Sequence, residues 1–402
     1  MKLLHVIASM DPKLGGVSQA VRTTIAGLAE LGIHNEVVSL DASGSPVDPF
    51  PLHAVGPGYG PWSYSPKLLP WLLDNFARFD SVLLHGLWLY NGYALRKALH
   101  RFQAQQAAAG SEIIPVPKLF VMPHGMLDPY FQRATGRKLK AWRNQLYWQL
   151  VEGAVVNEAA GVLFTCETER LLAREPFAPY RPHQELVVGL GVEPPPCDTP
   201  AMRVAFAAKC PALQNRPYLL FLSRIHDKKG VELLIQAYAH LRIHMAASTI
   251  PLTKPAPVLV IAGPGLETAY GQQMQRLAAE LPEASVLFPG MLTGEAKWGA
   301  FYGCEAFVLP SHQENFGIAV VEALACSKPV LVSNQVNIWR EIVAMNGGLA
   351  EDDTLPGTQR LLEGWCELAE HEKQVMSERA QATYRMHFAV GPAAAKMAAV
   401  LY

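Results

Sequence analysis

The sequence predicts an α/β protein built from two doubly wound parallel sheets. Its 402 residues are too many for one compact core and suit two domains. Short, continuously apolar runs alternate with longer amphipathic segments, the pattern of buried parallel strands joined by helices. The alternation stops at Val192-Glu193-Pro194-Pro195-Pro196 and then restarts. Consecutive prolines neither continue a helix nor sit inside a sheet. Residues 1–193 and 194–388 therefore read as two Rossmann-like domains with a cleft between them, followed by a tail, 389–402.

The first strand is expected at 3–8, where Leu3, Leu4, Val6 and Ile7 form an apolar run. Gly15-Gly16 fall in the loop after it. Residues 17–31 read as a helix, with Gly32 beyond its end. Further strands are expected at 35–40, 81–85, 119–122 and 161–165, the last leading into a helix at 167–174. The segment 102–117, rich in Ala and Gln and then broken by proline, reads as a helix end and surface loop. In the second domain, strands are expected at 218–222, 258–262, 286–288, 306–309 and 330–332, with helices at 231–241 and 272–281. A last helix at 392–402 is apolar along one face.

Composition narrows the function. Half of the residues are apolar and 17% are charged, so the chain can bury a large core. A formal net charge of −1 argues against a nucleic-acid binder, which would more often be strongly basic. The six cysteines are scattered, with no Cys-x-x-Cys pair, which argues against structural zinc and for reduced thiols. His5, Asp11 and Lys13 interrupt the N-terminal apolar stretch, so it reads as a strand rather than a secretory signal. No run approaches the length of a membrane span. The expectation is a cytoplasmic protein, at most peripheral at the inner face of a membrane.

The most informative stretch runs from Pro310 to Ser327. The apolar strand at 306–309 ends at Pro310-Ser311, and a breaker-free helix must begin near Phe316 or Gly317. Glu314 then sits just ahead of a helix N-terminus, at the carboxyl edge of a sheet. The amides of Asn315, Phe316 and Gly317 are unpaired donors at the positive end of the helix dipole. Such a place holds an anion and a polyol together. A bare Glu-x7-Glu spacing reads as two surface glutamates; the surrounding pattern is what changes the reading. Pro-Ser-x-x-Glu-x-Phe-Gly-x4-Glu-Ala-Leu-Ala-x-x-x-Pro-Val resembles the donor-site motif of retaining glycosyltransferases of family 4 (group 1), which have the GT-B fold. The resemblance implies that Glu314 contacts sugar hydroxyls, that Asn315, Phe316 and Gly317 support sugar and phosphate through their amides, and that Glu322 binds the ribose. The chain departs at Ser327, where many members have glycine.

Arg224 and Lys229 leave the end of the strand at 218–222 and flank a helix start. Two cations at a strand's carboxyl edge suit a diphosphate. Alone they read as solvated surface charge; the same family's Arg-x4-Lys-Gly segment, in register with Arg224, Lys229 and Gly230, neutralises the donor diphosphate. Lys228 is the neighbouring competitor. Gly15-Gly16 read by themselves as a plain turn, while the family's Gly-Gly loop implies that Gly16 faces the diphosphate. Gly263-Pro264-Gly265 suggests a dinucleotide fingerprint but has Thr268 where the third glycine is needed. The turn Pro289-Gly290-Met291-Leu292 corresponds to the family's base-binding turn, with the backbone of Met291 and Leu292 toward the nucleobase.

His124 ends the strand at 119–122, and a lone histidine there reads most simply as structural. The family's His-Gly element implies that it contacts the donor sugar near the reacting carbon. His85 has similar character and is assigned to the acceptor side or a cleft wall; Asp128 is assigned to orienting the acceptor or His124. In residues 133–148, Arg133, Arg137, Lys138, Lys140 and Arg143 interleave with Trp142, Tyr147 and Trp148, with no acid among them. A basic aromatic helix can lie on an anionic membrane. The plainer reading, and the one preferred, is a solvated helix with its aromatics in the core.

By resemblance, then, the chain is expected to move a sugar, with retention, from a UDP- or GDP-sugar donor to a hydroxyl of a saccharide or lipid-linked saccharide, in polysaccharide or glycolipid biosynthesis. No Asp-x-Asp occurs, so neither metal nor other cofactor is expected. His124 and Glu314 are the expected catalytic residues. The family's tail helix crosses back to the first domain, and 389–402 is expected to do the same. A nucleotide-sugar epimerase of the same architecture and a non-catalytic sugar-nucleotide binder are the competing readings.

Overall fold

The computed structural model of the chain describes residues 1–12, 16–42, 44, 48–109, 115–133, 138–247 and 256–402. Gly15 and Arg137 lie outside these, as do residues 110–114. The chain divides into two compact units, Met1–Gly191 together with Val390–Tyr402, and Val192–Ala389.

The first unit contains β1 (Lys2–Ile7), β2 (His34–Ser39), β3 (Leu52–Ala54), β4 (Ser81–His85), β5 (Lys118–Met122), β6 (Gly161–Phe164) and β7 (Glu185–Val187). They form one sheet in the order β3-β2-β1-β4-β5-β6-β7, parallel throughout. The inner strands are buried on both faces, which is why they read as unbroken apolar runs. Leu4, Val6, Val82, Leu84 and Val121 lie in one hydrophobic cluster, and Leu3, Leu83, Phe120, Met122 and Leu163 in another. Helix Val390–Leu401 joins the second cluster through Ala394, Met397, Ala398 and Leu401. It passes helix Gly16–Glu30 at Gly27, where an added Cβ would meet Val390 Cγ1 at 2.6 Å. Only glycine permits so close a helix crossing.

The second unit contains β8 (Tyr218–Leu222), β9 (Val258–Ala262), β10 (Val286–Gly290), β11 (Ala306–Leu309), β12 (Val330–Ser333) and β13 (Gly348–Glu351), in the parallel order β10-β9-β8-β11-β12-β13. Both sheets reverse strand order beside their first strand, between β1 and β4 and between β8 and β11. At such a switch point the loops diverge and leave a crevice beyond the carboxyl ends of the strands, which is where doubly wound folds bind ligands.

Candidate functional site

In the second unit, the turns after β8 and β11 meet at the switch point. After β8 the chain makes a short 3-10 turn, Asp227–Lys229, and Gly230 follows at φ +67°. A Cβ at Gly230 would stand 2.0 Å from the Pro310 carbonyl oxygen, so the two turns are in backbone contact. The Lys228 carbonyl accepts from the His312 amide at 2.8 Å and from the Ser311 hydroxyl at 3.0 Å. The Ser333 hydroxyl in turn donates to the Ser311 carbonyl at 2.5 Å. This bracing places the Lys229 ammonium against Glu314 Oε2 as an ion pair. Lys229 is 6% exposed, so a carboxylate partner offsets the cost of burying its ammonium.

Glu314 is fixed by its own backbone as well. Its amide donates to the Gln335 carbonyl at 2.9 Å, and its carbonyl accepts from the Asn337 amide at 3.0 Å. Asn337 also reaches Asn315 Oδ1, at 3.3 Å. Gly317, at φ +76°, caps helix Ile318–Ala325 without a side-chain hydrogen bond. Among the described residues the amides of Phe316 and Gly317 donate to nothing. The Phe316 ring is core, edge-on to Phe388 at 5.7 Å, so only its backbone is available to a ligand. Glu322 bonds Lys297 at 2.6 Å, and burial raises its pKa while Lys297 lowers it. Arg224 is exposed and makes no ion pair among the described residues. Met291 is 64% exposed and Leu292 is buried, beyond Gly290 at φ +76°.

The first unit carries a separate cluster at its own switch point. A cavity of about 160 Å³ is lined by Ser9, Asp11, Ser18, His85, Asn91 and Met126, among others. His85 Nδ1 and His124 Nε2 are 3.0 Å apart, and His85 Nε2 lies 2.9 Å from His5 Nδ1. Burial lowers the pKa of both His5 and His124 to about 4, and the Asn35 bond partly opposes the shift at His5. His85 is lowered well below its usual value, by burial first and then by its two histidine neighbours. All three rings are therefore neutral at pH 7. His124 sits at φ +52° and Gly125 at φ +79°. The turn is held by the buried Glu169, whose Oε1 accepts from the Gly125 amide at 2.5 Å and whose Oε2 accepts from the Thr165 amide and hydroxyl. Asp128 Oδ1 accepts from the Tyr130 amide at 2.8 Å. Gly16 is exposed and opens helix Gly16–Glu30.

The family profile for glycosyl transferases group 1 matches residues 205–377, and that for the glycosyl transferase 4-like domain matches residues 15–191, together most of the chain. The chain belongs to the group 1 glycosyltransferases. It is 33% identical over 158 residues to D-inositol 3-phosphate glycosyltransferase of Geodermatophilus obscurus, covering 38% of this chain and 33% of that protein. The protein of the same name from Paenarthrobacter aurescens is 26% identical over 369 residues, 85% of this chain and 82% of that one. The chain thus spans a third of the first relative and most of the second. Anabaena HepE, solved with UDP and glucose, has a TM-score of 0.67 at 16% identity, covering 100% of this chain and 99% of that one. The fold is that of the GT-B glycosyltransferases.

In this glycosyltransferase the second unit joins Lys229 to Glu314 but leaves Glu322 with a partner, Lys297, that the sequence reading did not single out. In the first unit His85 and His124 are linked, and His5, Asn35 and Glu169 support them without having been anticipated. His5 carried a signal, a histidine inside an otherwise apolar strand. The basic helix departs from expectation. Trp148 is buried as expected, but Trp142 is 69% exposed and Leu139 87%. Helix Lys138–Tyr147 runs into a π-helical turn, Trp148–Glu152, with Leu146 and Leu150 also exposed.

Proposed function

We propose that this glycosyltransferase moves a sugar, with retention of anomeric configuration, from a UDP- or GDP-sugar to a saccharide or lipid-linked hydroxyl without a metal. The observation that carries the reading is the Lys229–Glu314 pair at the switch point, with exposed Arg224 on the same strand-end turn. Cations there suit a donor diphosphate, and a carboxylate beside them suits sugar hydroxyls. Arg224, Lys229, Gly16 and the amides near Gly317 take the leaving-group charge. Glu314 positions the sugar, Glu322 the ribose, and the backbone of Met291 and Leu292 the base. His124 contributes a contact to the sugar, His85 stands behind it as part of the wall of the site, and Asp128 serves the acceptor. In the step itself the bond from the anomeric carbon to the phosphate oxygen breaks and a bond from the acceptor oxygen forms on the same face. The acceptor proton passes to the departing phosphate oxygen, so the nucleoside diphosphate leaves with its electron pair.

Thermal-shift screening of UDP-, GDP- and ADP-sugars identifies the donor, and product analysis with acceptors follows. Glu314→Ala and Lys229→Ala should each cut transfer about 100- to 1,000-fold while the protein stays folded; near-normal turnover in either overturns the assignment. An epimerase would convert the donor with no acceptor present, and a sensor would bind it without releasing nucleotide.

The exposed stripe Leu139, Trp142, Leu146 and Leu150, flanked by Lys138, Lys140 and Arg143, supports peripheral contact with an anionic bilayer. Among the described residues no helix is long and apolar enough to cross a membrane. Co-sedimentation with anionic vesicles that survives Trp142→Glu would reject this contact.

A further inference from the structure

Four polar side chains climb the first unit's sheet, one strand and two residues at a time. Asn35 of β2 is level with Leu3 of β1. His5, two residues on, is level with Leu83 of β4. His85, two residues past Leu83, is level with Met122 of β5, and His124 stands two residues beyond that. Period-two alternation puts Asn35, His5 and His85 on one face, and the turn at Pro123-His124 brings in the fourth.

The hydrogen bonds along this staircase have one direction. Asn35 Nδ2 donates to the Ile33 carbonyl at 2.8 Å. That fixes the amide, because the reverse orientation would set two carbonyl oxygens against each other. Asn35 Oδ1 therefore faces His5 Nε2, at 3.0 Å, and an oxygen of this kind can only accept. His5 must carry its proton on Nε2, leaving Nδ1 bare. That bare nitrogen accepts from His85 Nε2, and His85 Nδ1 accepts from His124 Nε2. Successive rings tilt by only 12° and 26°, consistent with in-plane N–H···N bonds. Among the described residues His124 Nδ1 makes no hydrogen bond.

We propose that Asn35, His5 and His85 are positioning residues that lock His124 in its Nε2–H tautomer, presenting a bare Nδ1 as hydrogen-bond acceptor for a substrate hydroxyl. The inference rests on the reading of His124 as a substrate contact, and it specifies that contact: the substrate donates and His124 accepts. A lone half-exposed histidine would sample both tautomers and offer a donor part of the time. The chain removes that choice by anchoring the far end to a backbone carbonyl.

The test is long-range nitrogen–proton correlation spectroscopy on the full-length protein with labelled histidine, at neutral pH and without substrate. Resonances are assigned through single His→Gln variants. His5, His85 and His124 should all be neutral with the proton on Nε2. A proton on Nδ1 of His124, or a charged ring in the chain, overturns the proposal. Asn35→Leu should let His124 populate both tautomers and lower kcat/KM about three- to tenfold; an unchanged tautomer removes Asn35 from the role. Should Asn35→Leu not fold, the wild-type spectrum still decides. His124→Asn, whose carbonyl oxygen can stand where Nδ1 stood, should retain more activity than His124→Leu; equal loss in both counts against an acceptor role. The tautomers are read with no donor present, so a wrong donor assignment leaves that result standing.

Discussion

The Lys229–Glu314 pair makes an unusual demand on a double-mutant cycle. The two side chains differ in access to water: that of Lys229 is 7% exposed and that of Glu314 24%. Glu314→Ala leaves an ammonium that cannot rehydrate in place, and removing one partner of a buried pair costs about 3–5 kcal/mol. We expect about 3 kcal/mol, the lower end, because the Glu314 side of the pair is partly open to water. Lys229→Met keeps the aliphatic stem and leaves a carboxylate that can turn toward water, for about 1 kcal/mol. Lys229→Met/Glu314→Ala removes the orphaned cation, so it should be more stable than Glu314→Ala alone, by about 1–2 kcal/mol. A two-unit chain does not unfold in one step. The readout is therefore native-state hydrogen exchange at the slow amides of β8 and β11, which reports the second unit by itself. If the double variant is as unstable as Glu314→Ala or worse, the pair does not satisfy a buried charge and the reasoning fails.

Further perturbations address other parts of the fold. Glu152 is buried, accepts from the Trp88 amide at 3.0 Å through Oε1, and has its pKa pushed up by burial to about 8. Its folded pKa lies above its unfolded value, so unfolding releases a proton between about pH 4.5 and 8 and stability of the first unit falls as pH rises through that window. Glu152→Gln should flatten that slope in urea titrations across pH; an unchanged slope refutes it. Gly230→Ala must place a Cβ 2.0 Å from the Pro310 oxygen at φ +67°, and should lower stability by at least about 2 kcal/mol and abolish transfer; a neutral result would mean the turns do not touch. Ser327, at φ +60°, follows helix Ile318–Ala325, where the Ser327 amide bonds Leu324 O and the Lys328 amide bonds Ala323 O, a Schellman stop. Ser327→Gly should raise stability by about 0.5–1 kcal/mol in thermal melts.

The inner strands were legible because both their faces are buried. The expected ranges 218–222, 258–262 and 306–309 match β8, β9 and β11 residue for residue. β3 (Leu-His-Ala), β7 (Glu-Leu-Val) and β13 were not read, being short, half-exposed edge strands without an apolar run. The turn carrying Glu314 was legible from the strand before it and the helix after it. Its pairing with a lysine 85 residues away was not, because register between distant loops leaves no local trace. The basic helix held a clue in plain view. Trp142 and Trp148 lie six residues apart, about 120° round a regular helix, so one core face cannot take both.

The two units meet the cost of burying polar groups in opposite ways. The first uses neutral rings whose protons are arranged end to end, so nothing charged is buried in the relay. The second keeps a buried cation and gives it a carboxylate. Under the proposed function that choice couples the two ends of the donor. A diphosphate approaching Lys229 competes with Glu314 for the ammonium, and a sugar hydroxyl donating to Glu314 weakens the carboxylate's hold on the lysine. Each half of the donor thus makes room for the other, so a nucleotide sugar should bind more tightly than its separate parts suggest, and Glu314→Ala should remove that advantage while leaving affinity for the free nucleoside diphosphate equal or higher.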